Sequence, residues 1–171
     1  MSARIRNPFT PSFGQIPLYM AGRDLVIDEI MRAFENGVGD PNLSTILIGA
    51  RGSGKTALMS LLAHEAQGFG WLSVNVSALP GMLEDIAQQA KAVASSIVSV
   101  SSHAKIKSVG VPQILDIEWE RDAVEQPNWR MRMSAILEGL NASDVGLLIT
   151  VDEVRADLDE LIQLVSVHQH F

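Results

Sequence analysis

Residues Ser44 to Thr56 run Ser-Thr-Ile-Leu-Ile-Gly-Ala-Arg-Gly-Ser-Gly-Lys-Thr: a short apolar stretch, a glycine-rich turn, then Lys-Thr opening a helical pattern. Gly49, Gly54, Lys55 and Thr56 stand at the spacing G-x-x-x-x-G-K-[ST] of the phosphate-binding P-loop. Each residue type answers a physical need. Gly49, Gly52 and Gly54 let the backbone take positive φ and approach a phosphate with no Cβ in the way. Ala50, Arg51, Ser53 and Ala57 complete a turn whose N–H groups and helix N-terminus aim at one anion. Lys55 is placed to reach the β- and γ-phosphates, and the Thr56 hydroxyl to coordinate Mg²⁺. The flanks agree with the motif. Ile46, Leu47 and Ile48 predict a strand before the turn, and Ala57, Leu58, Leu61, Leu62 and Ala66 a helix after it, ending near Gly68.

The rest of the chain sets bounds on that reading. Its 171 residues suffice for one domain with its own core. A net charge of −7 argues against broad nucleic-acid binding through this segment. With no cysteine there is no disulfide, thiol nucleophile or cysteine metal site. Residues 1–17 carry Arg4 and Arg6 without the apolar core of a signal peptide, and no apolar run is long enough to cross a bilayer. The expectation is a cytoplasmic protein that does not enter membranes.

Taken in order, residues 1–17 hold Pro8, Pro11, Gly14 and Pro17 and predict an extended arm. A helix follows, with Asp24 as its N-cap, Leu25, Val26, Ile30, Ala33 and Phe34 on one face, and Asn36-Gly37 as its end. Residues 71–76 predict a second strand between Gly68, Gly70, Pro80 and Gly81. Residues 82–100 predict a helix that packs in the core through Leu83, Ile86, Ala90, Val93 and Ile97; its polar face lacks the basic residues of a membrane-surface helix. Over 105–120, Val109, Val111, Leu115, Ile117 and Trp119 alternate with polar residues and predict a β-hairpin or edge ribbon. Asp116, Glu118 and Glu120 then share a face that reads as solvated strand before it reads as a metal site. Pro127-Asn128-Trp129 opens a helix with Trp129, Met133, Ile136, Leu137 and Leu140 inward. Arg130 and Arg132 on it read as solvated, with a partner or phosphate as the other possibility. The last helix, 156–170, has Leu158, Leu161, Ile162 and Val165 inward. The four histidines have no metal-ligand spacing.

The second informative stretch is Val145-Gly146-Leu147-Leu148-Ile149-Thr150-Val151-Asp152-Glu153. A continuous apolar run ending in two carboxylates predicts a buried parallel strand with acid at its C-terminal tip, where ligands bind in open α/β sheets. Together with the P-loop, it makes a Walker A plus Walker B pair. Asp152 is then the Mg²⁺ group, directly or through water, and Glu153 the residue that orients or deprotonates the attacking water.

Gly22-Arg23 before the first helix, Gly49-Ala50-Arg51-Gly52-Ser53-Gly54-Lys55-Thr56, and Leu148-Ile149-Thr150-Val151-Asp152-Glu153 together resemble the AAA+ ATPases. The nearest likeness is to the archaeal-ATPase and initiator-like branch that shades into the STAND signalling switches. The resemblance runs from about residue 17 to 171. It implies an α/β P-loop NTPase fold, three-layer α-β-α with a mostly parallel sheet, over residues 18–171. It also implies Mg²⁺-dependent hydrolysis of ATP to ADP, and a place beside the adenine for Arg23, Met20 and Ala21. A structural salt bridge is the other reading of Arg23.

Two departures qualify the likeness. Lys55 and Asp152 lie 97 residues apart, wider than the bare path between them needs, so about 82–126 reads as a helix and β-hairpin insertion, a surface for a protein partner or self-association. The sequence also stops just after the second motif, without the family's next strand, arginine finger, lid or winged helix. The expectation is therefore a domain incomplete at its C-terminus, with a gap beside the second-motif strand and slow or no hydrolysis by this segment alone. Two further readings stay open: a nucleotide-bound switch or scaffold with little turnover, and an initiator-like protein that contacts DNA through a domain outside this sequence. No guanine-reading Asn/Thr-Lys-x-Asp motif is present, which favours adenine.

Overall fold

A computed structural model describes residues 20–103, 128–155 and 158–168, with 96–103, 167 and 168 described by backbone alone. The N-terminal arm, the 105–120 ribbon and its carboxylates Asp116, Glu118 and Glu120 lie outside the described residues. The chain divides into two compact units that meet in sequence between Phe69 and Gly70. Taken together, the described elements are a mixture of helices and strands with a two-stranded parallel sheet. Among the described residues, no helix is long and apolar enough to cross a membrane.

In the first unit, helix α1 (Asp24–Asn36) packs on helix α2 (Lys55–Gly68). Ile30, Ala33 and Phe34 are buried from α1, and Leu58, Leu62, Ala63 and Ala66 from α2. The Phe34 and Phe69 rings meet with centroids 6.0 Å apart and a 46° tilt. Two details differ from the sequence reading. Arg23, not Asp24, is the N-cap, and its side chain makes no capping bond; Asp24 sits inside the first turn, where its carboxylate faces the positive end of the helix dipole. Leu25 is on the outside, 77% exposed, because at about 100° per residue it points well away from the stripe that Ile30, Ala33 and Phe34 bury. Between the helices, Asp40 caps a 3₁₀ turn (Pro41–Leu43), accepting from the Asn42 N–H at 2.9 Å and the Asn36 side-chain amide at 2.8 Å. These bonds, the Asn36 one foremost, hold the Asp40 carboxyl below its usual pKa.

The second unit is built on strands β1 (Leu72–Ser77) and β2 (Leu147–Asp152), paired in parallel with Leu72 opposite Leu147 and Ser77 opposite Asp152. Val74 and Val76 of β1 face a core filled by helices α3 (Met82–His103) and α4 (Trp129–Asn141). Leu83, Ile86 and Ala90 are buried there, as the core-packing expectation for 82–100 required, together with Met82, Ala87 and Ala94. From α4 come Met133, Ile136 and Leu140, with Trp129 and Leu137 partly buried beside them. Asn128 caps α4, its side-chain oxygen accepting from the Met131 N–H at 3.0 Å. β2 is half-buried along its whole length rather than fully buried, because among the described residues it has one strand neighbour and not two. Helix α5 (Asp159–His168) turns Leu161 and Leu164 toward the core, whereas Ile162 and Val165, expected inward, are 60% and 57% exposed. Residues 161, 164 and 158 form one helical stripe; 162 and 165 lie on the next.

Two local arrangements hold this unit in register. Gly146 precedes β2, and its carbonyl accepts from the Leu72 N–H at 2.8 Å while the Trp71 indole lies over its α-carbon. A Cβ placed there would sit 2.2 Å from Trp71 Cδ2 and 2.5 Å from Cε2. Since the indole ring cannot shorten, Gly146→Ala is expected to destabilise the protein by about 1–3 kcal/mol, read as a lower urea midpoint. Unchanged stability would mean that Trp71 leaves its place freely.

Arg132 of α4 forms a two-point ion pair with Glu84 of α3, one bond being Nη1 to Oε1 at 2.7 Å. That contact corrects the solvated reading of Arg132. The Arg132 guanidinium lowers the Glu84 pKa, and Glu84 in turn raises that of Arg132. A lowered carboxylate pKa adds stability above its unfolded value, which is lost as pH falls through the lowered folded value. Because the Glu84 side chain is 45% exposed, the gain is under about 1 kcal/mol after solvent screening. The stability advantage of the parent over Glu84→Gln is therefore expected at neutral pH and lost as the pH falls through the lowered folded value, in parallel urea titrations. An advantage independent of pH would contradict the ion pair.

Candidate functional site

The glycine-rich loop lies in the first unit. Residues 45–50 have no regular secondary structure and join no strand, which corrects the strand expected over 46–48; Ile46 and Ile48 are 85% and 90% exposed. A short apolar run with two β-branched residues favours a ladder, but a ladder needs a second strand, and among the described residues none pairs here. The turn itself follows the motif. The Ser53 N–H donates to the Ala50 carbonyl at 3.2 Å. Gly54 takes the left-handed conformation, φ 85° and ψ 17°, and α2 begins at the next residue. The Leu58 N–H closes the first turn onto the Gly54 carbonyl at 2.9 Å. The loop therefore delivers the chain to a helix N-terminus whose leading N–H groups have no intrahelical acceptor.

The side chains around the turn are cationic or small. Lys55 folds back so that its Nζ donates to the carbonyls of Gly49 at 2.8 Å and Ala50 at 3.0 Å, holding the ammonium over its own loop. Thr56 is exposed in the first turn of α2, and Arg51 is exposed at the loop tip. The Ser53 hydroxyl is buried with no hydrogen-bond partner and leans on Gly49, where an added Cβ would stand 2.9 Å from it. A Cβ at Gly49 would make that hydroxyl turn aside. Arg23, thirty residues earlier, donates from Nη2 to the Ser53 carbonyl at 2.9 Å. Among the described residues no carboxylate pairs with it, so the salt bridge expected as one reading of Arg23 is not what holds it.

The acidic strand tip lies in the second unit. Asp152 ends β2 opposite Ser77, and its backbone carbonyl accepts from the Ala78 N–H at 2.9 Å. Its Oδ1 accepts from the Glu153 N–H at 2.7 Å, which fixes the carboxylate at the strand's end. Glu153 is exposed and has φ 55°, a left-handed conformation that L side chains adopt at a cost of about 1–2 kcal/mol. Asp144, in the turn before β2, holds the same φ of 55°. Thr150, one residue before Val151, donates to the Asn75 side-chain oxygen at 2.6 Å across the pair of strands.

Sequence patterns missed Glu160, whose carboxylate accepts from the Gly81 N–H at 2.7 Å and the Leu83 N–H at 2.8 Å. It thereby caps α3 from α5 across nearly eighty residues, a distance no local spacing rule covers. Among the described residues, no cluster of three or more His, Asp or Glu side chains is placed to hold a metal. Comparison of the chain with protein families, curated proteins and solved structures gives no match.

Proposed function

We propose that the chain is an ATP-binding P-loop ATPase of the AAA+ type, performing Mg²⁺-dependent hydrolysis of ATP to ADP and phosphate coupled to a conformational change. The observation that carries this reading is the loop, in which the motif glycines lead through a left-handed Gly54 into a helix that opens on Lys55 and Thr56. The residues present fit a bound polyphosphate. Leading N–H groups of α2, the Lys55 ammonium and Arg51 supply positive character, and the turn between them carries no acidic side chain.

In this reading Gly49 to Ala57 cradle the phosphates with backbone N–H groups, and Lys55 leaves its own carbonyls for the β- and γ-phosphates. Thr56 and Asp152 are the residues that would hold Mg²⁺, which when bound neutralises charge on the phosphate oxygens. Glu153 would accept the proton of the attacking water. The reading carries with it the larger three-layer α-β-α sheet, a preference for adenine, a cytoplasmic location, and a protein partner or second copy.

Titration with a fluorescent ATP analogue, with and without Mg²⁺, tests the proposal alongside phosphate release. Binding in the range of about 1 μM to 1 mM that strengthens with Mg²⁺ is the expected result. Failure to bind ATP, GTP or inorganic tripolyphosphate would end it. Tight binding with no phosphate release would favour the switch reading.

A further inference from the structure

Ser53 is held on three sides. Its N–H is tied to Ala50, its hydroxyl is wedged against Gly49, and its carbonyl accepts from Arg23. The last tie comes from outside the loop, from the half-buried residue at the N-cap of α1. Its geometric consequence follows from the peptide group. In a planar trans peptide the C=O and the next N–H point in opposite directions. Holding the Ser53 carbonyl toward α1 therefore fixes the Gly54 N–H on the opposite side. Gly54 lacks a Cβ and has φ 85°, so little intrinsic to the backbone stops this peptide from turning over.

We propose that Arg23 is a positioning residue of the phosphate loop: by holding the Ser53 carbonyl, it keeps the Gly54 N–H aimed at the phosphates. This rests on the nucleotide-binding reading and moves Arg23 from the base to the phosphate end of the ligand. The guanidinium acts through the loop backbone and need touch neither base nor phosphate. Losing a charge-assisted bond of this kind corresponds to roughly a tenfold change in affinity.

The test uses inorganic tripolyphosphate, which has the phosphates without the base, as a competitor of a fluorescent ATP analogue. Arg23→Ala is expected to weaken ATP, GTP and tripolyphosphate by the same factor, roughly tenfold. Arg23→Lys, which can donate to the same carbonyl, is expected to recover most of the loss. The Gly54 amide resonance should shift in the alanine variant and return toward its parental position in the lysine variant. A loss for ATP with tripolyphosphate unchanged would make Arg23 a base contact and overturn the proposal. So would undiminished binding of all three. If the alanine variant unfolds, Arg23→Met, which keeps the aliphatic stem and donates no hydrogen bond, supplies the same comparison. Lys55→Ala serves as the control: if it keeps its tripolyphosphate affinity, the phosphate site itself is wrong, whatever Arg23 does.

Discussion

Lys55→Ala is expected to weaken ATP binding by roughly a hundredfold while leaving the fold intact. The size follows from what the ammonium does in each state. In the structure its Nζ donates to the Gly49 and Ala50 carbonyls, both on an exposed loop, so those bonds exchange readily with water. Against a polyphosphate the same ammonium meets full negative charge beside a helix N-terminus. A hydrogen bond to a charged group is worth about 1.5–3 kcal/mol, and two phosphates share this one. Removing Lys55 should accordingly cost far more in the complex than in the free protein, where the change in stability stays below about 1 kcal/mol. Lys55→Arg should not restore affinity, since a planar guanidinium does not replace a compact ammonium inside a tight loop. Calorimetric titration with ATP reads the first effect, and a urea midpoint the second. Equal ATP affinity in the parent and the alanine variant would remove the basis for the proposed site.

The loop was legible in the sequence because its signals are local. Glycine spacing, the lysine and the helix that follows all lie within about twenty residues, and α2 starts and stops where they place it. The same holds for β1, for the start of α4 at Asn128-Trp129, and for the Met133, Ile136 and Leu140 stripe of that helix. What escaped is what depends on partners distant along the chain. Ile46 and Ile48 have strand-forming side chains but no ladder among the described residues. Val165 has the apolar character of a core residue, yet it falls one stripe away from the face that α5 buries. Neither Arg23 on Ser53 nor Glu160 on Gly81 and Leu83 announces itself, because a carbonyl or an N–H is a partner that every residue offers. Only the fold selects which one is met.

Glu153→Gln is expected to leave ATP affinity within about threefold of the parent and to lower turnover by roughly 10²- to 10⁴-fold, the usual range for removing a general base. The substitution isolates chemistry from structure for a reason visible in the backbone. Glu153 holds φ 55°, and its N–H is bound to Asp152 Oδ1. Glutamine keeps the Cβ, the side-chain length and the backbone N–H, so the conformational cost and the bond to Asp152 carry over unchanged. What disappears is the capacity to take a proton. Asp152→Asn should do the converse. Its amide oxygen can still accept from the Glu153 N–H, while the lost charge weakens the hold on Mg²⁺ and raises the metal concentration needed for half-maximal rate. Rapid-quench single-turnover measurements at saturating ATP distinguish the two variants. If Glu153→Gln hydrolyses ATP at the parental rate, proton abstraction lies with another group, and the strain at Glu153 serves the turn into α5 instead.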